Sequence, residues 1–503
     1  MVRFHVRRGV RGAVAGCAIA ASVVLADTPS ANAQHGFSAP LILNTLVQPT
    51  GLVFAPDGRL FVSEVSGRVR IVENGAVLPT PFINLQTEVL AYSHLGLIGI
   101  ALDPDFANNR YVYLLYTVKT CGNNCVYSFG RLVRYTGTEE SNGSIADPKS
   151  RLVLIGETHQ DGIPICSSSH TVGALRWAND GTLFVSAGDG ATFAGIDVGG
   201  MQPPCFAPGK NDPIEDVGAF RSQFLGSLAG KILRIDPATG LGLPDNPYYT
   251  GNPADKQSKV WAYGLRNAFR FAVKPGSPGP GTLYIGDVGW LTWEELNISY
   301  GGENFGWPCY EGMHVQAQYF NATPQHSGCN SIGGPNNPAF PKQPIVVWNR
   351  TDAAMSTPPG LRGQCALGGL FYQGHTFPVQ YRGAFIFGDF SHGWLKALRT
   401  NDRDELVDVL DIPMSTPYWI TDMTAHPETG EIYFLYSFGA LRYIKYTPKP
   451  GDLNIDMVVD VLDLITLLAA WGPCPKDGTC PADIDSNGTV DVVDLLTLLA
   501  NWG

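Results

Sequence analysis

Apolar and polar positions alternate along most of the chain in short runs broken by tight turns. Leu60–Val72 (LFVSEVSGRVRIV) is the first clear example: an apolar run, a Ser-Gly turn, then a β-branched run with every second position polar. That pattern predicts two antiparallel strands. Similar units begin at Tyr111, Leu183, Leu283, Ala384 and Ile432, so six are counted. Several follow turns such as Pro56-Asp-Gly58, Asn179-Asp-Gly181 or Pro427-Glu-Thr-Gly430, and no long helical periodicity appears before residue 449. Repeated antiparallel units with uneven insertions predict an all-β chain folded as a six-bladed β-propeller over residues 34–448. A sandwich would explain the strands but not the repetition. In a propeller, loops converge at one end of the central channel, so the insertions at 190–225 and 303–368 are expected to wall a pocket there.

The pattern changes at residue 449. Two acidic loops, beginning at Asp452 and Asp483, are each followed by a helical apolar run ending in Trp-Gly at the chain's Trp471 and Trp502. Oxygen side chains fall at loop positions 1, 3, 5, 9 and 12, the spacing of an EF-hand-type calcium loop. The first set is Asp452, Asn454, Asp456, Asp460 and Asp463; the second is Asp483, Asp485, Asn487, Asp491 and Asp494. Met457 stands where the turn glycine is expected, whereas Gly488 fills that place in the second loop. Amphipathic helices over 462–470 and 495–500 are expected to pack on each other, giving a small α-helical calcium-binding domain over 449–503. The two loops, each with one helix, resemble a type I dockerin, which implies a cohesin-like docking partner; a self-contained calcium-stabilised cap is the other reading.

Residues 1–33 read as a signal peptide, with Arg3, Arg7, Arg8 and Arg11 before an apolar small-residue stretch and an Ala31-Asn-Ala33 cleavage pattern. The protein is therefore expected to be secreted or periplasmic. The chain's formal net charge is −11 and loss of the Arg-rich leader makes it more negative, which argues against a nucleic-acid partner. No other apolar run is long enough to span a bilayer. In an oxidising compartment the cysteines read as disulfides. Cys121/Cys125 and Cys474/Cys480 close short loops, Cys309/Cys329 is plausible, and Cys166, Cys205 and Cys365 are left unassigned.

The candidate chemistry centres on residues 170–190. A turn at Asn179–Gly181 returns the chain so that Asp189 comes back toward His170, and a carboxylate that orients an imidazole makes a general base. A structural histidine beside a Gly-rich loop is the plainer alternative. Five segments in order then carry a resemblance: Gly96–Phe106 (GLIGIALDPDF), His170–Gly190, Gly230–Asp236 (GKILRID), Ala262–Asn267 (AYGLRN), and Glu294–Asn297 with Gly302–Pro308 (GENFGWP). From about residue 40 to 446 the chain resembles the glucose/sorbosone dehydrogenase family, which includes soluble quinoprotein aldose dehydrogenases and Hedgehog-interacting-protein-like propellers.

The resemblance implies pyrroloquinoline quinone (PQQ) and calcium as cofactors and oxidation of an aldose to a lactone. It implies that His170 takes the proton of the anomeric hydroxyl, that Asp189 orients it, and that Arg266, with Asn267 beside it, stabilises charge on the quinone. It implies that the loop at Asp287–Trp290 presents carbonyls to calcium, with Gly289 kept and Trp290 in place of a proline. His94 stands at a sugar-side position. The turns Tyr372-Gln373-Gly374 and Gly388–Ser391 lack the basic residues expected to meet the cofactor's carboxylates. A non-catalytic, calcium-containing propeller that binds carbohydrate or protein ligands is therefore the alternative. Asp287, Glu294 and Glu295 read equally as calcium ligands or as a solvated acidic loop. Trp261, Trp290, Trp293 and Trp307 read as inter-blade packing rather than a sugar platform.

Overall fold

Each of the six predicted units forms part of an antiparallel sheet of four strands, or five in the first two blades, in the computed structural model, which describes residues 35–120, 122, 127–322, 329, 332, 340–414, 419–476 and 479–503. Residues 1–33, read above as a signal peptide, and the Cys121/Cys125 pair lie outside the described residues. The innermost strands of the six blades are Pro49–Phe54, Leu97–Leu102, Val172–Trp177, Ala268–Val273, Ala366–Phe371 and Ile420–Ala425. Each packs beside the next, and the sixth closes onto the first. The units seen in sequence are the second and third strands of each blade, because those carry the uninterrupted apolar runs. The sixth blade takes its outer strand from the N-terminal side: Leu41–Leu43 pairs with Leu441–Tyr443, which locks the ring. The fold is a six-bladed β-propeller.

Two features narrow the ring. Glycines on inner strands let neighbouring backbones touch: a Cβ on Gly99 would sit 2.8 Å from the Gly173 carbonyl of the next blade, and one on Gly173 would sit 2.7 Å from the Ala268 carbonyl. The axis itself is plugged by Arg270, which is 1% exposed. Its guanidinium, carried by blade four, pairs with Asp422 of blade six at 3.2 Å. It also donates to the Thr421, Thr50 and Ile98 carbonyls of blades six, one and two. Asp422 is shared with Arg176 of blade three at 3.2 Å.

The two C-terminal helices are Val461–Ala469 and Val492–Ala500. Each begins at a capping box, Asp460 with Asp463 and Asp491 with Asp494. The second helix starts three residues before the expected Leu495, because the cap at Asp491 admits Val492 to the first turn. The helices pack through Leu467 and Leu498, both fully buried. Cys309–Cys329 and Cys474–Cys480 pair as expected, and Cys166 pairs with Cys205. That third bridge spans 39 residues and joins the 190–225 insertion to the short strand Ile163–Ile165 at the end of blade two, a partnership that spacing could not single out. Cys365 is a buried thiol. Among the described residues no helix is long and apolar enough to cross a membrane.

Candidate active site

The strand polarity gathers the chemistry at one end of the channel, where innermost strands begin and second strands finish. His170 precedes the inner strand of blade three and Asp189 follows its second strand, Leu183–Ala187. The hairpin returns as the Asn179-Asp-Gly181 turn predicts, with Gly181 at φ +81°. Gly188 donates to the Thr171 carbonyl at 2.6 Å and Gly190 to the His170 carbonyl at 2.8 Å. A Cβ on Gly188 would meet the His170 carbonyl oxygen at 2.4 Å, so only glycine fits. His170 itself is held at φ +52°, a left-handed conformation unusual for a non-glycine residue.

His170 Nδ1 lies 3.1 Å from Asp189 Oδ1. The carboxylate also accepts from the Ala191 N–H at 2.9 Å and from Trp307 Nε1 at 2.8 Å. With those bonds Asp189 is fixed as an acceptor, so Nδ1 carries the proton and Nε2 is the basic nitrogen. Burial, reinforced by the nearby Arg266 cation, depresses the His170 pKa to about 4. Although burial alone would raise it, His170 and Arg266 hold Asp189 below the usual carboxylate range. His94 lies close enough to add to the depression at His170, as expected for a residue at the same mouth.

His170 stays neutral in the folded protein down to about pH 4, whereas in an unfolded chain it titrates near 6.5. Its contribution to stability is present above about pH 6.5 and is lost as the pH falls toward 4. A base-dependent turnover should hold level from neutral pH down to about 5 and fall below about 4 in a pH–rate profile, rather than breaking near 6.5.

Arg266 opens blade four and is 5% exposed. Its N–H and that of Asn267 donate to Asp287 Oδ2 and Oδ1 at 3.0 and 2.6 Å. Its Nη1 donates to the Val288 and Gly289 carbonyls at 2.9 and 2.5 Å, and the guanidinium carbon sits 5.4 Å from the centre of the Trp307 ring. Arg266 Nε is buried with no hydrogen-bond partner among the described residues. Arg350, which sequence reading missed, follows the outer strand Val346–Asn349 of the same blade. It donates to the Gly289 carbonyl at 2.6 Å, to the Trp290 carbonyl at 2.5 Å and to Glu294 Oε1 at 2.8 Å.

Asp287, Glu294 and Glu295 are not a solvated acidic loop. They lie on strands and are 4%, 0% and 7% exposed. Burial pushes Asp287 up to about 7, and it raises Glu295 as well. Glu311 Oε1 accepts from the backbone N–H groups of Trp290, Leu291, Thr292 and Trp293. The insertions at 190–225 and 303–368 meet over this end: Phe220 and Val217 pack with Trp290, Trp307 and Tyr319. Trp261 and Trp293 are also buried; Trp261 packs between blades as expected, whereas Trp290 and Trp307 pack against the insertions and Trp293 stacks on His314.

One expectation fails on placement. Gln373 follows the end of the inner strand Ala366–Phe371 and is exposed at the opposite end of the ring from His170. It therefore says nothing about a cofactor at the His170 end. The Gly388–Ser391 turn does lie at the correct end, where fully buried Asp389 accepts from Trp348 Nε1 and the N–H groups of Cys365, Ser391 and His392.

The residues present fit the two implied groups unequally. A buried guanidinium with an unpartnered Nε fits an oxygen-bearing acceptor such as PQQ. Calcium does not fit the Val288–Trp290 loop, because the carbonyls it would need already accept from two guanidinium groups. Gly289 therefore holds arginines.

In the C-terminal loops, Asp483, Asp485 and Asp494 bring carboxylate oxygens within 4.8 Å of one another. Met457 and Gly488 both take left-handed backbone, φ +80° and +92°. Leu462, Ile465, Leu468 and Trp471 are exposed on or just beyond one helix, and Leu496, Leu499 and Trp502 on or just beyond the other.

The model of the Glucose / Sorbosone dehydrogenase family matches residues 46–442. The chain is 25% identical over 426 residues to aldose sugar dehydrogenase YliI of Escherichia coli (strain K12), covering 82% of this chain and 95% of that protein. It is 27% identical over 449 residues to the HIPL2 protein of Arabidopsis thaliana, covering 77% of this chain and 58% of that one. The PQQ-bound aldose sugar dehydrogenase of Streptomyces coelicolor superposes with a TM-score of 0.57 at 20% identity, covering 82% of this chain and 99% of that one, a likeness of fold.

Proposed function

The chain belongs to the glucose/sorbosone dehydrogenase family, and from that premise we propose that it is an exported quinone-dependent oxidoreductase that converts an aldose to its lactone. The observation that supports this reading is the buried His170–Asp189 pair with the Arg266 cation beside it at the mouth of the propeller. His170 Nε2 takes the proton of the anomeric hydroxyl, and Asp189 holds the opposite nitrogen protonated and stabilises the imidazolium that forms. Arg266 and Asn267 would hold PQQ, which when bound supplies the two-electron acceptor for the C1 hydrogen. Arg266 keeps a positive charge where negative charge develops on the acceptor. His94, at the same mouth, would face the sugar.

A second reading keeps the fold and loses the chemistry. Trp307, packed with Trp290 and Tyr319, puts its ring centre 5.4 Å from the Arg266 guanidinium carbon, and this aromatic cover favours a propeller that only binds carbohydrate or protein ligands. Titrating the protein with PQQ and then following dye reduction with a panel of aldoses separates the two. Quinone binding and sugar-dependent reduction support the enzyme; neither, with the fold intact, leaves the binding propeller.

Residues 449–503 form, in this proposal, a dockerin-like domain whose ten loop ligands hold two calcium ions and whose apolar helix faces dock a cohesin-like partner. Calorimetric titration of the whole protein should show two calcium sites of unequal strength. Met457 occupies a left-handed position that costs a side-chain-bearing residue about 1–2 kcal/mol, so Met457→Gly is expected to tighten the weaker site by roughly 5- to 30-fold.

A further inference from the structure

We infer that Arg350 is a built-in cation on the Val288–Trp290 loop, and that the propeller's site is consequently independent of calcium. Three consecutive carbonyls turn toward two guanidinium groups there. The Gly289 oxygen accepts from both Arg266 Nη1 and Arg350 Nη2, at 2.5 and 2.6 Å, so both of its lone pairs are engaged. The Val288 oxygen takes Arg266 and the Trp290 oxygen takes Arg350.

The carboxylates beside the loop are equally committed: Asp287 accepts from the Arg266 and Asn267 N–H groups, and Glu295 from the Gly312 N–H and Asn297 Nδ2. Glu294 is fully buried; its Oε1 meets Arg350, and its Oε2 accepts from the Gly289 and Ala366 N–H groups at 3.2 and 2.8 Å. Glu311 Oε1 is taken by four backbone N–H groups. Calcium requires six to eight oxygens, and a divalent ion here would face two guanidinium charges across a buried, poorly solvated space.

The sequence departure at position 290 fits the arrangement. A proline there would have no N–H, whereas the Trp290 N–H donates to Glu311 at 2.7 Å and helps hold the loop in the orientation that offers its carbonyls to Arg350. Arg350 also restores to this end of the ring positive charge that the Gly388–Ser391 turn lacks.

The test is calcium titration by calorimetry, with thermal unfolding in calcium and in EDTA, on the full chain carrying Asp452→Ala and Asp483→Ala to silence the C-terminal loops. In that background the propeller should bind no calcium, and its melting temperature should not move between calcium and EDTA. Adding Arg350→Ser should create one calcium site, whereas Arg350→Lys, which keeps the charge, should create none. The inference is overturned if the background protein binds calcium or is stabilised by it, or if folded Arg350→Ser gains no site while Arg350→Lys remains folded. None of these readouts uses turnover, so a failure of the proposed activity and a failure of this inference are distinguishable.

Discussion

Replacing His170 with alanine is expected to lower aldose-dependent dye reduction by about 10²–10⁴-fold while leaving the fold intact, the range for removal of a positioned general base. The expectation rests on geometry. Nδ1 is committed to Asp189 at 3.1 Å, and Asp189 is itself fixed by Trp307 and Ala191, so the imidazole has one tautomer and one basic nitrogen. Asp189→Asn should also be slow. An amide presents a donor as well as an acceptor, and if its N–H₂ faces Nδ1 the proton is driven to the nitrogen that must be free. Melting curves and circular dichroism would separate this from collapse of the site. His170→Ala with wild-type turnover would remove the mechanism and leave the fold untouched.

The second large effect is on stability. Arg270→Ala should destabilise the propeller by about 3–5 kcal/mol, the range for breaking a buried ion pair, read as a lowered urea midpoint. Arg270 ties blade four to carbonyls of blades one, two and six and pairs with Asp422 at the axis. Its removal leaves Asp422, 4% exposed, with Arg176 as its remaining ion-pair partner among the described residues. Arg270→Lys should recover only part of the loss, because a single ammonium cannot span carbonyls on three blades. A midpoint unchanged by Arg270→Ala would show that the ring closes without this plug.

What could be read from the sequence follows from which interactions are local. Six blades were legible because second strands such as Leu60–Glu64 and Leu183–Ala187 are buried on both faces and flanked by turns. The inner strands were not, since Gly99, Gly173 and Gly368 interrupt them for backbone contact between blades. That gap explains the misplaced Gln373: with Ala366–Phe371 unrecognised as a strand, the turn after it could not be assigned to an end of the ring.

The His170–Asp189 pair was legible because one hairpin joins it. Trp307, 118 residues from the aspartate it supports, could be read only as packing. Arg350 gave no signal, because a charged residue just after a buried strand looks like an ordinary surface position. Glu294 was visible, but its partner 56 residues on was not, and without that partner buried acids and solvated acids read alike. The C-terminal loops are the opposite case. All of their ligands lie within twelve residues, so the spacing alone carries the expectation, and the backbone at Met457 and Gly488 takes the turn that spacing requires.

The most direct test of the central claim, that His170, Asp189 and Arg266 form a proton-accepting centre for sugar oxidation, is product analysis after incubation with PQQ, a dye acceptor and an aldose. Wild-type protein should form the corresponding lactone or aldonate in step with dye reduction, more slowly when C1 carries deuterium, and His170→Ala should form almost none. Quinone-loaded, folded protein that oxidises none of a broad panel of aldoses would contradict it.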